Sequence, residues 1–268
     1  MKAGNKMIRL KFSKHGLMKY IGHLDVMRAF QKVMRRSGVD IAYSDGYSPH
    51  QIMSFAQPLG VGLESNGEYF DIEVQSVGTA AELIDALNAQ CPEGIRILDA
   101  VRLPEKSANA MASVNQASYT VRFRDGRIPA FDLNKAVSDF LNAETVTVTK
   151  KTKKSTREID IRSLVYDIRV LNNADELKDY EEKNGISISD SLSDEDRDTT
   201  IDFGASAFPV IKMHVTASSG DNVKPGLLMQ ALSDMNGGGE IGDTDLMVIR
   251  EDLYDESGKS LIDAGERF

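Results

Sequence analysis

The succession of hydrophobic patterns in residues 7–103 is the feature that most constrains the fold of this chain. Residues 7–12 alternate apolar and charged side chains, as a strand with one wet face does. The next segment repeats apolar residues at steps of three and four, which predicts a helix that ends at Gly38. Further strands are predicted at 41–43, 68–74 and 95–103, and an apolar segment lies at 52–56. A second helix is predicted at 79–90, with Thr79 as its N-cap and Glu82 at the capping-box position.

The resulting order, β-α-β-β-α-β, is that of the ferredoxin-like fold. A similar order follows, with strands predicted at 119–123, 145–150, within 157–171, at 208–218 and at 246–254, and helices at 129–144 and 224–235. We therefore predict an α+β chain with two ferredoxin-like (βαββαβ) units. The predicted divisions are a first unit at 1–105, a linker at 106–117, and a second unit at 118–268 that carries an acidic insertion at about 173–205.

A single cysteine, Cys91, limits the covalent chemistry of the chain. It excludes an intrachain disulfide and an iron–sulfur site built on three cysteines. A disulfide-free chain fits a reducing compartment. The N-terminal residues lack the apolar stretch of a signal peptide, and no run of about 18 apolar residues occurs. We therefore expect a cytoplasmic protein without a membrane span.

Charge is unevenly distributed along the chain. The formal net charge is −9, which taken alone argues against nonspecific binding to nucleic acids. Residues 175–202 hold eleven acids and three bases, so the rest of the chain is close to neutral. Two basic segments lie in that remainder: residues 9–36 contain eight Lys/Arg and one acid, and residues 150–162 contain six Lys/Arg and two acids. The net charge therefore leaves room for a local phosphate-binding surface.

The two basic segments and the loop at 43–50 contain the candidate residues for binding RNA or a partner. Dense cations attract phosphate, and tyrosines among cations suit stacking on unpaired bases. Simpler alternatives stay open: a solvated helix face, turn chemistry in the loop, and a solvated hairpin. The candidates are Arg28, Lys32, Arg35, Arg36, Tyr43, Tyr47, His50, Lys151, Lys153, Lys154 and Arg157.

His23 is the candidate catalytic residue. Imidazole titrates near neutral pH, so it can act as a general acid or base or contact a phosphate. The alternative is that His23 and Asp25 only begin the helix, with the Asp25 carboxylate complementing the helix dipole. His23 and His50 have a spacing too nonspecific to predict a metal site, so we predict none.

Several short motifs occur in an order that resembles a known family. They are GHLD at 22–25, the pair Arg35–Arg36, YSDGYSPH at 43–50, SFAQPL at 54–59 and GEYFDI at 67–72. Through them the first 105 residues or so resemble the radical SAM-linked family of unknown function. The basic segment at 150–162 is similar to a Lys-rich segment of that family. Gly22 stands where the family usually has serine, and the acidic insertion is not a family feature.

The resemblance implies an accessory protein that works beside a radical SAM protein. It also implies that the iron–sulfur cluster and S-adenosylmethionine belong to that partner, with no cofactor in this chain. We therefore expect a noncatalytic adaptor that binds RNA or a ribonucleoprotein partner through a basic face. Two alternatives stay open: a metal-independent RNA-processing enzyme that uses His23, and a purely protein-binding scaffold, which the net charge of −9 favours.

Overall fold

The computed structural model of the chain describes residues 4–124, 127, 129–151, 156–184, 208–242 and 244–268. These residues form two compact units, the first from residues 4–115 and 250–268 and the second from the described residues between 116 and 249. The described residues contain ten strands and six α-helices. None of these helices combines the length and the apolar character needed to cross a membrane.

The first unit is an antiparallel sheet with helices between its strands. Its elements are β1 (Lys6–Lys14), α1 (His23–Ser37), β2 (Met53–Phe55), β3 (Glu64–Val74), α2 (Ala80–Asn88), β4 (Ile95–Arg102), α3 (Ala110–Ser113) and residues 250–254 of β10 (Leu246–Tyr254). β1 lies between β4 and β3, and the far edge of β3 carries β2 and β10. The β1–β3, β1–β4 and β2–β3 pairs are all antiparallel.

One face of this sheet packs against α1 and α2. Ile8, Leu10 and Phe12 alternate along β1, so they lie on the same face, and all three are buried. The helices cover them with Val26, Phe30, Val33 and Met34 of α1 and Leu83 and Leu87 of α2. Because these apolar positions occupy one stripe of α1, the packing fixes the rotation of the helix and leaves its charged stripe in water.

The predicted C-terminus of α1 and the predicted N-terminal cap of α2 are confirmed. α1 ends at Gly38, which adopts a left-handed conformation with φ of 73°, and Arg35 and Arg36 lie in its last turn. Thr79 caps α2 by accepting a hydrogen bond from the Glu82 amide, while the Glu82 side chain accepts one from the Thr79 amide. The capping box read from the sequence is therefore present.

The second unit has a sheet and a separate hairpin. Its elements are β5 (Gln116–Phe123), α4 (Leu133–Asn142), β6 (Thr147–Lys151), β7 (Thr156–Asp160), β8 (Val165–Leu171), α5 (Ala174–Asn184), β9 (Val210–Thr216), α6 (Pro225–Met235) and residues 246–249 of β10. β9 lies between β5 and β8 and pairs antiparallel with both, and β5 is also bordered by β10. Within the described residues, β6 and β7 pair only with each other.

The α+β class predicted from the sequence is confirmed, but several details differ. The strand predicted at 41–43 is reduced to isolated bridges at Ile41 and Tyr43, and the strand that pairs with β3 is β2, in the apolar segment at 52–56. With β10 included, the first unit has five sheet strands rather than the four of a ferredoxin-like unit. The assignment of both units to the ferredoxin-like fold stays a prediction.

The structure also divides the chain at other points than those predicted. The predicted linker at 106–117 contains α3 and the start of β5. Residues 250–268, assigned from the sequence to the second unit, pack in the first, because β10 continues beside β3. Of the predicted acidic insertion, α5 covers Ala174–Asn184, and residues 185–205 lie outside the described residues.

A buried ion pair occupies the other face of β1. The Arg9 guanidinium donates to both Asp71 carboxylate oxygens at 2.8 and 3.0 Å, and each side chain is 1% exposed. Asp71 also accepts a 2.7 Å hydrogen bond from the Ala110 amide, which begins α3, and Arg9 donates to the Ala108 carbonyl. The pair therefore anchors the segment that follows β4 to the centre of the sheet.

Arg9→Met should destabilise the protein by about 3–5 kcal/mol, because it leaves the Asp71 carboxylate buried without its cation. Urea unfolding followed by circular dichroism measures this change. Arg28→Met is the matched control: the Arg28–Asp25 pair is exposed, with 69% and 61% of the side chains accessible, and its loss should cost under about 1 kcal/mol. Equal effects of the two substitutions would contradict the structural role of Arg9.

Candidate functional site

A small cavity lies at the start of α1 in the first unit. Its volume is about 20 Å³, room for about one water molecule. His23, the first residue of α1, lines the cavity together with the buried side chains of Lys14 and Glu68. The remaining wall is mostly apolar and comes from Phe12, Val26, Phe55, Ala56, Gln57, Pro58, Leu59 and Tyr69.

Lys14 is the unusual residue of this cavity. It lies at the end of β1 and is only 2% exposed. Among the described residues, none accepts a hydrogen bond from its Nζ. Burial lowers the pKa of Lys14, while the nearby Glu68 carboxylate raises it and Arg250 lowers it further, with a net shift below the ordinary value of 10.5.

Glu68 is already engaged by another cation. Arg250 of β10 donates to both carboxylate oxygens of Glu68, with an Nε–Oε1 distance of 2.7 Å, and both side chains are buried. Arg250 also donates to the Gln57 carbonyl at 2.9 Å. The negative charge of Glu68 is therefore shared between Arg250 and Lys14, and the surroundings of the cavity carry a surplus of positive charge.

His23 is held against the aromatic core. Its ring packs edge-on against Phe55, with a centroid distance of 5.7 Å. Desolvation lowers the pKa of His23, Glu68 raises it and Lys14 lowers it, so the net direction is below the ordinary value of 6.5. The imidazole is therefore mainly neutral at pH 7, and it can donate one hydrogen bond and accept another. Its role as a general acid or base stays a prediction.

The predicted basic residues of α1 lie along its water-facing stripe. Arg28 is exposed and donates to the Asp25 carboxylate at 3.1 Å. Lys32, Arg35 and Arg36 are exposed, and no residue in the described part of the chain forms an ion pair with them. Since positions three and four apart share a helix face, these three residues form one positively charged row, here named the α1 row.

The loop at 43–50 follows β1 and α1 in the same unit and exposes both of its tyrosines. Tyr43 is 43% exposed, and Tyr47 is fully exposed. Ser44 closes the loop: its Oγ lies 2.8 Å from His50 Nδ1 and accepts a hydrogen bond from the His50 amide at 3.1 Å. Gly46 has a φ of 108°, which a side chain would disfavour. His50 therefore supports the loop with one ring nitrogen.

The second predicted cluster is described only in part. Arg157 lies in β7 of the second unit, is exposed, and is 4.0 Å from the Asp221 carboxylate. Lys151 ends β6, but its side chain, and Lys153 and Lys154 entirely, lie outside the described residues. That these residues and the α1 row act as one binding surface stays a prediction.

Two other groups of titratable side chains have structural roles. Cys91 is half-buried against the core, and burial raises the pKa of its thiol to about 11, so it carries little thiolate at neutral pH. His15 Nδ1 lies 3.3 Å from one Glu64 oxygen, and Lys19 Nζ donates to the other at 3.1 Å. No three described His, Cys, Asp or Glu residues are grouped so that they could hold a metal ion.

Sequence reasoning missed the cavity although one signal for it was present. Lys14 continues the alternation of Ile8, Leu10 and Phe12, which places a lysine where the pattern calls for an apolar residue. The Glu68–Arg250 pair joins residues 182 positions apart, and no periodicity relates them. The first feature could have been found from the sequence, whereas the second required the fold.

The fold and the site define a two-unit α+β protein with an exposed cationic helix and a small cavity that contains a buried amine. The family model described as "Uncharacterized protein conserved in bacteria (DUF2344)" matches residues 7–225. This match covers most of the chain, which therefore belongs to the DUF2344 family. The comparison with curated proteins gives no match. Membership of a family of unknown function is thus confirmed, and the link to radical SAM chemistry stays a prediction.

Glu64→Gln should reduce the stability of the first unit in a pH-dependent way. Burial raises the pKa of Glu64, but hydrogen bonds from His15 and Lys19 and their charges outweigh it and lower the pKa from 4.5 to about 2. The stabilisation is therefore fully present above about pH 4.5 and is lost as the pH falls towards 2. We expect a loss of about 2–3 kcal/mol at pH 7.

Urea unfolding at several pH values between 2 and 7 measures this effect. The wild type should lose stability through the acid range more steeply than Glu64→Gln, and the two should converge near pH 2. Glu93→Gln is the control, because Glu93 is an exposed acid in the same unit. Parallel pH profiles for wild type and Glu64→Gln would rule out the proposed ion network.

Proposed function

We propose that this protein is a noncatalytic accessory protein that binds single-stranded RNA through its first unit. The observation that carries the proposal is the α1 row: three exposed cations on one helix face with no anionic partner in the described part of the chain. Ordinary exposed helix faces mix both signs of charge. An unpaired row of cations attracts the phosphates of nucleic acids and gives salt-dependent binding.

The exposed tyrosines of the 43–50 loop support RNA rather than another polyanion. A solvent-exposed aromatic ring has no role in the core, and its face can stack on an unpaired base. Tyr47 is fully exposed at the tip of a loop whose base is closed by Ser44 and His50. A loop whose base is closed by hydrogen bonds has less conformational entropy to lose when it binds a ligand.

We also propose the finer fold and partner assignments from the sequence. In the first unit the order β4-β1-β3-β2 and the two helices between strands support a ferredoxin-like unit, with β10 as an added strand. In the second, the order β10-β5-β9-β8 supports the same fold, with the β6–β7 hairpin and α5 as insertions. Solving an experimental structure with a different strand order would refute this assignment.

The motif resemblance supports a radical SAM protein as the partner that carries the iron–sulfur cluster and S-adenosylmethionine. The single cysteine of this chain is consistent with that division. Copurification of the tagged protein before and after nuclease treatment tests this part of the proposal. If no radical SAM protein is recovered under either condition, the partner assignment fails, whereas RNA binding is judged separately.

The double variant Arg35→Glu/Arg36→Glu should bind single-stranded RNA at least tenfold more weakly than the wild type. Fluorescence anisotropy with a labelled oligonucleotide at several salt concentrations measures this. The loss of about two phosphate contacts should also reduce the slope of log K against log salt by about 1.4, at about 0.7 per contact for a single strand. The substitutions also remove charges that complement the helix dipole, so the unfolding free energy is measured in parallel.

Arg96→Glu/Lys106→Glu is the matched control for this experiment. Both residues are exposed in the first unit, outside α1, and the change in net charge is the same. The control should bind RNA nearly as well as the wild type. If both double variants lose the same affinity, only overall charge matters and the α1 row is not the binding surface.

A further inference from the structure

Lys14 occupies a position that the packing of the first unit suits to an apolar residue. It follows Ile8, Leu10 and Phe12 along β1, beyond an irregularity in the pairing with β3, and lines the same cavity as Phe12. Burying a polar group at such a position costs free energy unless a hydrogen-bond or charge partner offsets the loss of water. Lys14 is 2% exposed and its Nζ donates to no acceptor among the described residues, so its charge is offset in part by the nearby Glu68 carboxylate, which Arg250 already binds.

The N-terminus of α1 supplies further unused donors at the same place. The helix cap is Gly22, which has no side chain to accept from the first amides, and no described residue accepts from the amides of His23 and Leu24. A helix of 15 residues also places a partial positive charge at this end. Because His23 is the first residue of α1 and lines the cavity, the cavity lies at the helix terminus and has Lys14 in its wall.

We propose that this cavity binds the phosphate monoester group of a phosphorylated ligand. The Lys14 ammonium supplies the charge at the base of the cavity, the His23 imidazole supplies one N–H, and the start of α1 supplies backbone amides. Such a combination of a lysine and a helix N-terminus is chemically suited to a dianion. The buried amine, which forms no hydrogen bond with the described residues, would thereby acquire an acceptor.

The dimensions of the cavity favour a tetrahedral group that enters by one oxygen. A volume of about 20 Å³ holds one oxygen atom rather than a whole phosphate. A phosphate monoester has three terminal oxygens, so one can reach Lys14 while the others face His23 and the helix amides. A carboxylate has only two oxygens in one plane, and its single charge gains less from the ammonium and the helix dipole.

The acidic groups near the cavity do not cancel its positive charge. Glu68 is bound through both oxygens by Arg250, whose own charge offsets it. Asp25, in the first turn of α1, is exposed and pairs with Arg28 at 3.1 Å. Tyr69, which also lines the cavity, directs its hydroxyl to Asp252 and Ser260. The Lys14 and His23 donors therefore remain available to an anion.

The phosphate site is independent of the surface proposed to bind RNA. The cavity uses Lys14, His23 and the start of α1, whereas the α1 row lies in the second half of the helix. A phosphate monoester can be the 5′ end of an RNA or part of a small phosphorylated molecule. The chemistry of recognition is the same in both cases, so the experiment must distinguish the two sources.

Calorimetric titration of the whole chain with inorganic phosphate at constant ionic strength tests the inference. Lys14→Met removes the charge and keeps the length of the side chain, and Lys106→Met is the matched control because Lys106 is exposed elsewhere in the same unit. Wild type and control should bind phosphate equally, and Lys14→Met at least tenfold more weakly. Acetate should bind the wild type more weakly than phosphate does.

Two results would overturn the inference: no phosphate binding by the wild type, or equal phosphate affinities for Lys14→Met and Lys106→Met. Misfolding does not confuse the result, because Glu68 keeps Arg250 as its partner in Lys14→Met, so the exchange of the buried ammonium for an apolar side chain should preserve or raise stability. The denaturant midpoint of Lys14→Met without phosphate should therefore be at least that of the wild type. A lower midpoint would show that the ammonium is structurally required and would also count against the inference.

A short RNA with a 5′-phosphate or a 5′-hydroxyl identifies the source of the phosphate. Tighter binding of the phosphorylated RNA, lost in Lys14→Met, assigns the cavity to RNA ends, and phosphate binding without that preference assigns it to small phosphorylated molecules. The Arg35→Glu/Arg36→Glu variant should retain phosphate binding. If the wild type binds phosphate but no RNA, the proposed function fails and the phosphate site stands.

Discussion

Both faces of β1 are buried, and the rest of the first unit depends on the strand register that this burial fixes. On one face, Ile8, Leu10 and Phe12 bury themselves under α1 and α2. On the other, Arg9 forms a buried ion pair with Asp71, and its Nη1 lies 3.4 Å from the Leu261 carbonyl in the C-terminal segment. Because both faces are covered, β1 cannot slip by one residue without burying charge among the helices or exposing the aromatic core.

The fixed position of α1 follows from this constraint and accounts for the candidate site. The apolar stripe of the helix packs on the sheet, so Lys32, Arg35 and Arg36 are in water, and His23 lies at the edge of the aromatic cluster. At 1.5 Å per residue, the start of α1 and the α1 row are separated by roughly 15–20 Å. One rigid helix thus carries an anion-binding terminus and a cationic row at a fixed spacing, both suited to phosphate groups.

The sequence predicts those parts of the fold that local chemistry determines. The end of α1 at Gly38 and the capping box of Thr79 and Glu82 need only neighbouring residues, and both are found. The apolar residues at 41–43 predict a strand, whereas the described backbone there makes only isolated bridges. The sequence places residues 250–268 in the second unit, whereas they cluster with the first, since only tertiary pairing brings β10 beside β3.

The candidate site also has features that the sequence predicts and features that only the fold shows. The cations of α1 and the tyrosines of the loop are visible in the sequence, and their exposure follows from helix periodicity and turn composition. The cavity depends on Arg250, far along the chain, which binds Glu68 and leaves Lys14 without a hydrogen-bonded carboxylate. Lys14 interrupts an apolar alternation in the sequence, but only the fold shows that it lines a cavity with His23 and Glu68.

Hydrogen–deuterium exchange of the whole protein with and without single-stranded RNA tests most directly whether α1 is the binding element. RNA bound along α1 should slow exchange in residues 23–37 and 43–50, with little change in α2, which packs on the same sheet but lacks the cationic row. Protection of α2 or other segments, with unchanged exchange in α1 and the loop, would contradict it.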